Sequence, residues 1–547
     1  MTSPSPPRYN SHIRTDTTIL AAPHERRWFG LLLLGTALCS LWALGALPLI
    51  DVDEPVYGQV GREMARAGWQ GWLTPRLGGQ PWFDKPPLFY WLTALSMRLF
   101  GVSEFAARLP SALEAVGLVA VTYALARRAF PETPRAGLWA GFVLATCVQF
   151  LILARAAVTD MTLVLTLIMA LYALYVWTKT GQGRWIALCG VMTGLGCLAK
   201  GPVALVLVGV QAVGYLLLTR QAKRLLSPAL WGGFALCLAV GLPWFLLMIH
   251  WHGQLFINGF LEANNVTRYL KAEHATTSPF WFFLPVLLAG FLPWTLALPG
   301  TLAMLWRQGR DEWDAKAADG PALFLALWVL LVFGFFSASQ SKLVTYIFPL
   351  YPALAVLVGA WLAKPSETFA LVWPLILYCG VNIALLGALG PVAHKFGIAR
   401  LTWALWMVTL AGAIPFVVYG ETRRVWLVPG IAMALFVLIL WCSPTWNVRE
   451  ADVSERKMAR VANTLTPPDG VVHALGFKHP SLRFYSVRPV VYTDDHAAAA
   501  ADMKAHPGVV YALRTSDLDE MRDKYGVTNV EEVYRYGKTA LVRATGR

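Results

Sequence analysis

Charged residues recur in this chain at the ends of long apolar runs, where charge is costly and its presence points to a site. Asp51-Val52-Asp53-Glu54-Pro55 follows the first apolar run at once, and Phe83-Asp84-Lys85-Pro86-Pro87 comes shortly after. Arg155 and Asp160, the turn Lys200-Gly201-Pro202, and Ser337 to Lys342 with Tyr346 repeat the pattern further on. Carboxylates in such places could remove a proton from an acceptor hydroxyl or orient a polar substrate. Lys85 stands just before a helix start, where free N–H groups and an ammonium together make a seat for phosphate. Plainer roles compete: a basic side chain at a helix end reaches out to lipid headgroups, Pro-Pro sets a helix start, and Asp160 caps the helix it begins. Asp51, Asp53, Glu54, Asp84 and Glu262 with His274 also form a candidate ligand set for a divalent metal, which stays open because Asp-x-Asp spacing is common by chance.

The elements that must position these groups are membrane helices. Apolar residues make up 56% of the 547 and charged residues 14%, and mean hydropathy is +0.51, which a water-soluble chain of this length would not show. Runs long enough to cross roughly 30 Å of hydrocarbon number about thirteen. They begin near Arg27, Leu109, Ala136, Met161, Trp185, Val203, Leu230, Phe280, Leu323, Leu343, Phe369, Leu401 and Val425. The first is read as an uncleaved helix, because a long polar stretch precedes it and many spans follow. With the N-terminus inside, Arg26-Arg27, Arg127-Arg128, Arg184, Arg220, Lys223-Arg224, Arg307, Arg310 and Arg423-Arg424 fall on the cytoplasmic face, as the positive-inside rule requires. The net charge of +14 therefore belongs largely to a membrane surface and needs no nucleic acid. The polar groups named above then share the outside face.

Three parts follow: a cytoplasmic leader over 1–23 expected to be disordered, a membrane body over 24–442 with outside segments 51–107 and 250–280, and a tail over 443–547. Val471 to Phe477, Val490 to Thr493, Val509 to Leu513 and Thr539 to Val542 read as strands, with Ala497 to His506 and Ser516 to Tyr525 as helices between them, so the tail is expected to be a small α/β domain. In the first outside segment, Pro55 to Ala67 and Pro87 to Phe100 read as interfacial helices. All seven cysteines lie in or beside apolar runs without a C-x-x-C pair, so neither disulfides nor a zinc cluster is expected.

FDKPPLFYWL (Phe83 to Leu92), ARAAVTDMTL (Ala154 to Leu163), LAKGPVAL (Leu198 to Leu205) and FFSASQSKLVTYIFPLYPALA (Phe335 to Ala355), with the first-loop DVDEP, resemble the membrane glycosyltransferases of the GT-C fold. The likeness is greatest to family 83, the lipid A 4-amino-4-deoxy-L-arabinose transferases, distant kin of protein O-mannosyltransferases. The resemblance implies an all-α polytopic GT-C body of about 13 transmembrane helices with a periplasmic tail domain, in the inner membrane of a Gram-negative bacterium. It implies an undecaprenyl phosphate-linked sugar as donor, lipid A or lipopolysaccharide as acceptor, no nucleotide, and a role in resistance to polymyxin and cationic peptides. By motif position Lys85 would hold the donor phosphate, Tyr346 would hydrogen-bond it, and Lys342 or Arg268 would add charge. Asp53, Asp160 and Glu54 would be the catalytic carboxylates, with Asp84, Arg62 and His274 in support. A monomer is expected, with no cofactor required by the sequence.

Two other readings stay open. The same scaffold could move another lipid-linked sugar to lipid A, a protein or another glycan. A transporter of lipid-linked sugar should show ionisable or broken segments near the midplane and matching halves, neither of which is visible here.

Overall fold

The computed structural model describes residues 23–267, 270, 279–314, 320–364, scattered positions between 427 and 438, and 455–545 apart from 477 and 478. Spans expected near Phe369 and Leu401, most of that near Val425, and the boundary at 442 lie outside the described residues. Within them the membrane body is built from α1 (Pro23–Leu41), α4 (Glu104–Ala129), α5 (Ala136–Thr146), α6 (Asp160–Thr180), α7 (Gly183–Lys200), α8 (Val203–Leu218), α9 (Pro228–His252), α10 (Pro321–Ala338) and α11 (Tyr351–Ala363). α2 (Asp53–Arg66) and α3 (Leu88–Phe100) belong to the segment between α1 and α4. By length and composition four of the described helices can cross a membrane, or five if the bent pair Phe280–Gly290 and Trp294–Arg310 is one span.

The turn between α6 and α7 fixes which ends meet. Gly181 adopts φ 67°, a left-handed conformation that glycine takes without Cβ strain, and its N–H donates to Trp177 O at the end of α6. The helices therefore run antiparallel, and Asp160 at the start of α6 meets Lys200 at the end of α7. α9 then lies against α7 at backbone contact distance: a Cβ on Gly190 would stand 1.9 Å from the carbonyl oxygen of Gly233. Small residues at such a crossing let two membrane helices gain close dispersion contact where no hydrophobic force drives them together.

The segment between α1 and α4 is a small platform. Val56, Val60 and Met64 recur every fourth residue on α2, which places them on one face, and with Tyr57 they pack on Phe89, Tyr90, Ala94 and Met97 of α3. A ribbon of β1 (Arg76–Leu77) and β2 (Gln80–Pro81) joins the two helices. One buried arginine ties the platform to the membrane body, and a second closes the end of α1. Arg108 of α4 donates to the carbonyls of Leu44, Leu47 and Pro48 at 2.7–3.1 Å and to both carboxylate oxygens of Glu54 at 2.8 and 2.7 Å. Arg155 donates to the carbonyls of Cys39, Ser40 and Trp42, satisfying the orphan acceptors where α1 ends.

The tail has α12 (Glu455–Leu465), β3 (Val472–Leu475), α13 (Pro480–Tyr485), β4 (Val490–Thr493), α14 (His496–Ala505), β5 (Val510–Arg514), α15 (Thr515–Asp523), β6 (Val530–Tyr536) and β7 (Thr539–Ala544). The sheet order is β4-β3-β5-β7-β6. β4, β3 and β5 are parallel, with Val472 opposite Val490 and Val510, so helical crossovers must join them. Their residues alternate between two covered faces, as a parallel sheet demands: Tyr511 and Leu513 enter one core, Val510 and Ala512 the other. The expected strands and helices form with shifts of one or two residues. α12, α13 and β6 were not expected.

Candidate active site

α13 of the tail docks on α2. Phe484 enters the platform core, the Tyr485 hydroxyl accepts from Leu49 N at 2.7 Å, and Arg62 donates to Phe484 O at 2.8 Å and Ser486 O at 3.3 Å. Asp51 accepts from Ser481 N at 3.1 Å and from its hydroxyl. The His479 ring lies 3.6 Å from Asp51 and contacts Glu455. Hydrogen bonds donated to Asp51, then to Glu455, raise the imidazole to about 9, so a protonated ring joins the two carboxylates. Asp51, Glu455 and His479 also offer ligand atoms within 4.8 Å of one another.

Beside this junction, α2, α6, α7 and the segment after α10 enclose a cavity of about 500 Å³. Its polar end holds Asp53, Asp84, Lys85, Asp160, Lys200 and Tyr346. Lys85 Nζ lies 2.9 Å from Asp84, and Lys200 Nζ lies 2.7 Å from Asp160 and 5.2 Å from the centre of the Tyr346 ring. Lys85 and Asp160 are only 8% and 7% exposed, so each charge needs its partner to offset desolvation. Burial, then the charge of Asp160, holds the Asp53 carboxyl above the usual carboxylate range. Leu163, Val206, Phe336 and Leu343 line the apolar part. An apolar pocket with a few converging charged groups is the usual form of a site for an amphipathic ligand.

The structure thus brings together five of the expected residues: Asp53, Asp84, Lys85, Asp160 and Tyr346. Lys342 stands beside them, its Nζ donating to Ser339 O at 2.5 Å, and Ser339 lines the cavity. Two expectations are corrected. Glu54 is not placed for catalysis, because its oxygens accept from Arg108, from Ile50 N at 2.8 Å and from Ala157 N at 2.7 Å. Arg62 does not support the cavity, because it clamps the tail. Arg268 and His274 lie outside the described residues. Of the candidate metal ligands, Asp51 faces the tail, Glu54 faces Arg108, Glu262 is exposed, Asp84 holds Lys85, Asp53 lines the cavity, and His274 lies outside the described residues. The sequence places Lys200 at a turn without pointing to a role; the antiparallel pairing of its helix with the one that begins at Asp160 is the signal that brings it to the site.

Acids and lysines buried at one end of a lipid-sized apolar cavity, inside a helical membrane body, define a membrane enzyme for lipid-linked substrates. Residues 84–247 match the family described as dolichyl-phosphate-mannose-protein mannosyltransferase. The chain is 30% identical over 507 residues to the undecaprenyl phosphate-alpha-4-amino-4-deoxy-L-arabinose arabinosyl transferase 1 of Pseudomonas fluorescens (strain Pf0-1), covering 87% of this chain and 85% of that protein. It is 29% identical to the corresponding transferase of Pseudomonas aeruginosa (strain UCBPP-PA14), covering 95% and 90%. The crystal structure of ArnT from Cupriavidus metallidurans bound to undecaprenyl phosphate superposes with a TM-score of 0.79 at 24% identity, over 95% of this chain and 98% of that one, so the two share a fold. The chain belongs to the undecaprenyl phosphate-alpha-4-amino-4-deoxy-L-arabinose arabinosyl transferase family.

Proposed function

We propose that this enzyme transfers 4-amino-4-deoxy-L-arabinose from undecaprenyl phosphate to a phosphate of lipid A. The observation that carries this reading is the meeting of Lys85 and Lys200 with Asp53, Asp84 and Asp160 in one largely apolar cavity. Three carboxylates against two ammonium groups suit a donor that brings both a phosphate anion and an amino-sugar cation.

In the reaction an anionic oxygen of the acceptor phosphate attacks the anomeric carbon, and the bond from that carbon to the undecaprenyl phosphate oxygen breaks. The leaving group departs with the electron pair as undecaprenyl phosphate. Lys85 and Lys200, with the Tyr346 hydroxyl, stabilise the charge that develops there, and Lys342 and Arg268 add to the field. A phosphate oxygen is already ionised near neutral pH, so no base is needed; Asp53 and Asp160 orient the sugar and pair with its ammonium. The apolar wall takes the polyprenyl chain.

In this reading the body has thirteen spans, lies in the inner membrane of a Gram-negative bacterium and opens its cavity to the periplasm, where the tail sits. The pairing of α6 with α7 supports that orientation, since Lys179 and Arg184 lie at the helix ends opposite Asp160 and Lys200, where the positive-inside rule needs them. Purified protein given donor and lipid A should release undecaprenyl phosphate and form glycosylated lipid A in equal amounts. Donor consumption without modified lipid A would reject the acceptor, and no consumption would reject the reaction.

A further inference from the structure

A second cavity, of about 320 Å³, opens at the seam between α2 and the tail. Arg62 and Arg66 on α2, and Arg456 and Arg460 on α12, all line it. The spacing of four on both helices stacks each pair on one face, and the facing carboxylate is Glu104. Arg456 pairs with Glu104 at 3.1 Å, and Arg62 is committed to the carbonyls of α13. Arg66 and Arg460 are exposed and have no hydrogen-bond or ion-pair partner among the described residues. The cavity therefore has an excess of cations held close together, a costly arrangement for folding and a favourable one for a bound anion. Guanidinium groups match phosphate oxygens in paired hydrogen bonds.

Exposed apolar residues also line this cavity: Val102 and Val487 are 41% and 66% exposed. Exposed apolar residues around a cationic pocket fit the headgroup of a phosphorylated lipid better than a free anion in water. α2 also joins the two cavities. Arg62 and Arg66 lie 9 and 13 residues from Asp53 along one helix, which at 1.5 Å per residue is about 13–20 Å.

We infer that this pocket holds one phosphate of a doubly phosphorylated glycolipid acceptor while its other phosphate reaches the cavity at Asp53. The inference rests on the function proposed above and adds a second anchoring point, which sets the acceptor class by phosphate number and spacing. Because the anchor lies far from the reacting atoms, its loss falls on acceptor KM and leaves donor KM unchanged.

The test uses full-length protein in phosphatidylcholine vesicles, with the aminosugar donor and lipid A bearing two phosphates or one. Arg66→Ala combined with Arg460→Ala should raise acceptor KM about tenfold for the two-phosphate lipid and leave the one-phosphate lipid nearly unaffected, while Arg66→Lys with Arg460→Lys, which keeps the charge but loses the paired donors, should restore it only in part. Arg460→Gln alone, on a solvent-facing side chain, carries the same test should the double variant not fold. Unchanged acceptor KM with transfer intact would overturn the anchor and leave the proposed function standing. An effect confined to vesicles containing phosphatidylglycerol would assign the pocket to membrane lipid and overturn it also. No transfer by the intact chain would overturn both.

Discussion

Neighbouring residues in this chain have unrelated fates, and helix geometry explains why. Asp53 and Glu54 begin α2, where successive side chains diverge by about a third of a turn or less; one faces the cavity and the other faces Arg108. Sequence can show that both are acidic, but not which way each points, so Glu54 and Arg62 read as functional when they are structural, and Lys200 went unassigned. Glu54→Gln should leave Arg108 buried with its charge uncompensated and lower stability by about 3–5 kcal/mol, measurable as a loss of thermal stability in detergent. Asp53→Asn should slow transfer by less than the 10²–10⁴ that a general base contributes, since a phosphate acceptor needs no deprotonation; a loss within that range in kcat would contradict the orienting role. Where the ionised Asp53 is needed, activity should fall as pH drops through its raised ionisation. Asp160→Asn removes the charge that helps raise it, so this acid limb of kcat/KM should move to lower pH.

Among the secondary-structure elements, those with a strong local period are legible in the sequence. β4 spans Val490–Thr493 as expected, because a short β-branched run between turn residues has few alternatives. β6 (Val530–Tyr536) alternates with charged residues and is irregular at Glu532/Tyr534, so its pattern is legible only once β7 lies beside it. The docking of the tail on α2 was not legible, because α13 is short and its partners lie more than 400 positions away. That dock should respond to pH. His479 is raised from its ordinary 6.5 to about 9, so its stabilising contribution is fully present below about 6.5 and is lost as pH rises through about 9. Limited proteolysis at the seam should accelerate across that window in the intact chain, and His479→Ala should flatten the response. Phe484 is 5% exposed in the platform core, so Phe484→Ala should cost about 3–5 kcal/mol. It should also reduce activity by loosening the segment that carries Asp53.

For the whole molecule, hydropathy and charge balance made the membrane class legible, and the motif blocks indicated the family, because buried ionisable groups are too costly to keep without a site. The sugar and the acceptor are set by a few contacts in two cavities that form only when distant loops meet. In the function proposed above, Lys85 and its neighbours move an aminosugar from a lipid phosphate to lipid A. The most direct measurement is mass spectrometry of lipid A from cells that lack their own transferase but make the donor lipid, expressing either the intact chain or Lys85→Ala. A pentosamine on lipid A phosphate with the intact chain, and its absence with an inserted and folded Lys85→Ala chain, is the predicted result. Unmodified lipid A with the intact chain inserted, or equal modification by both chains, would contradict it.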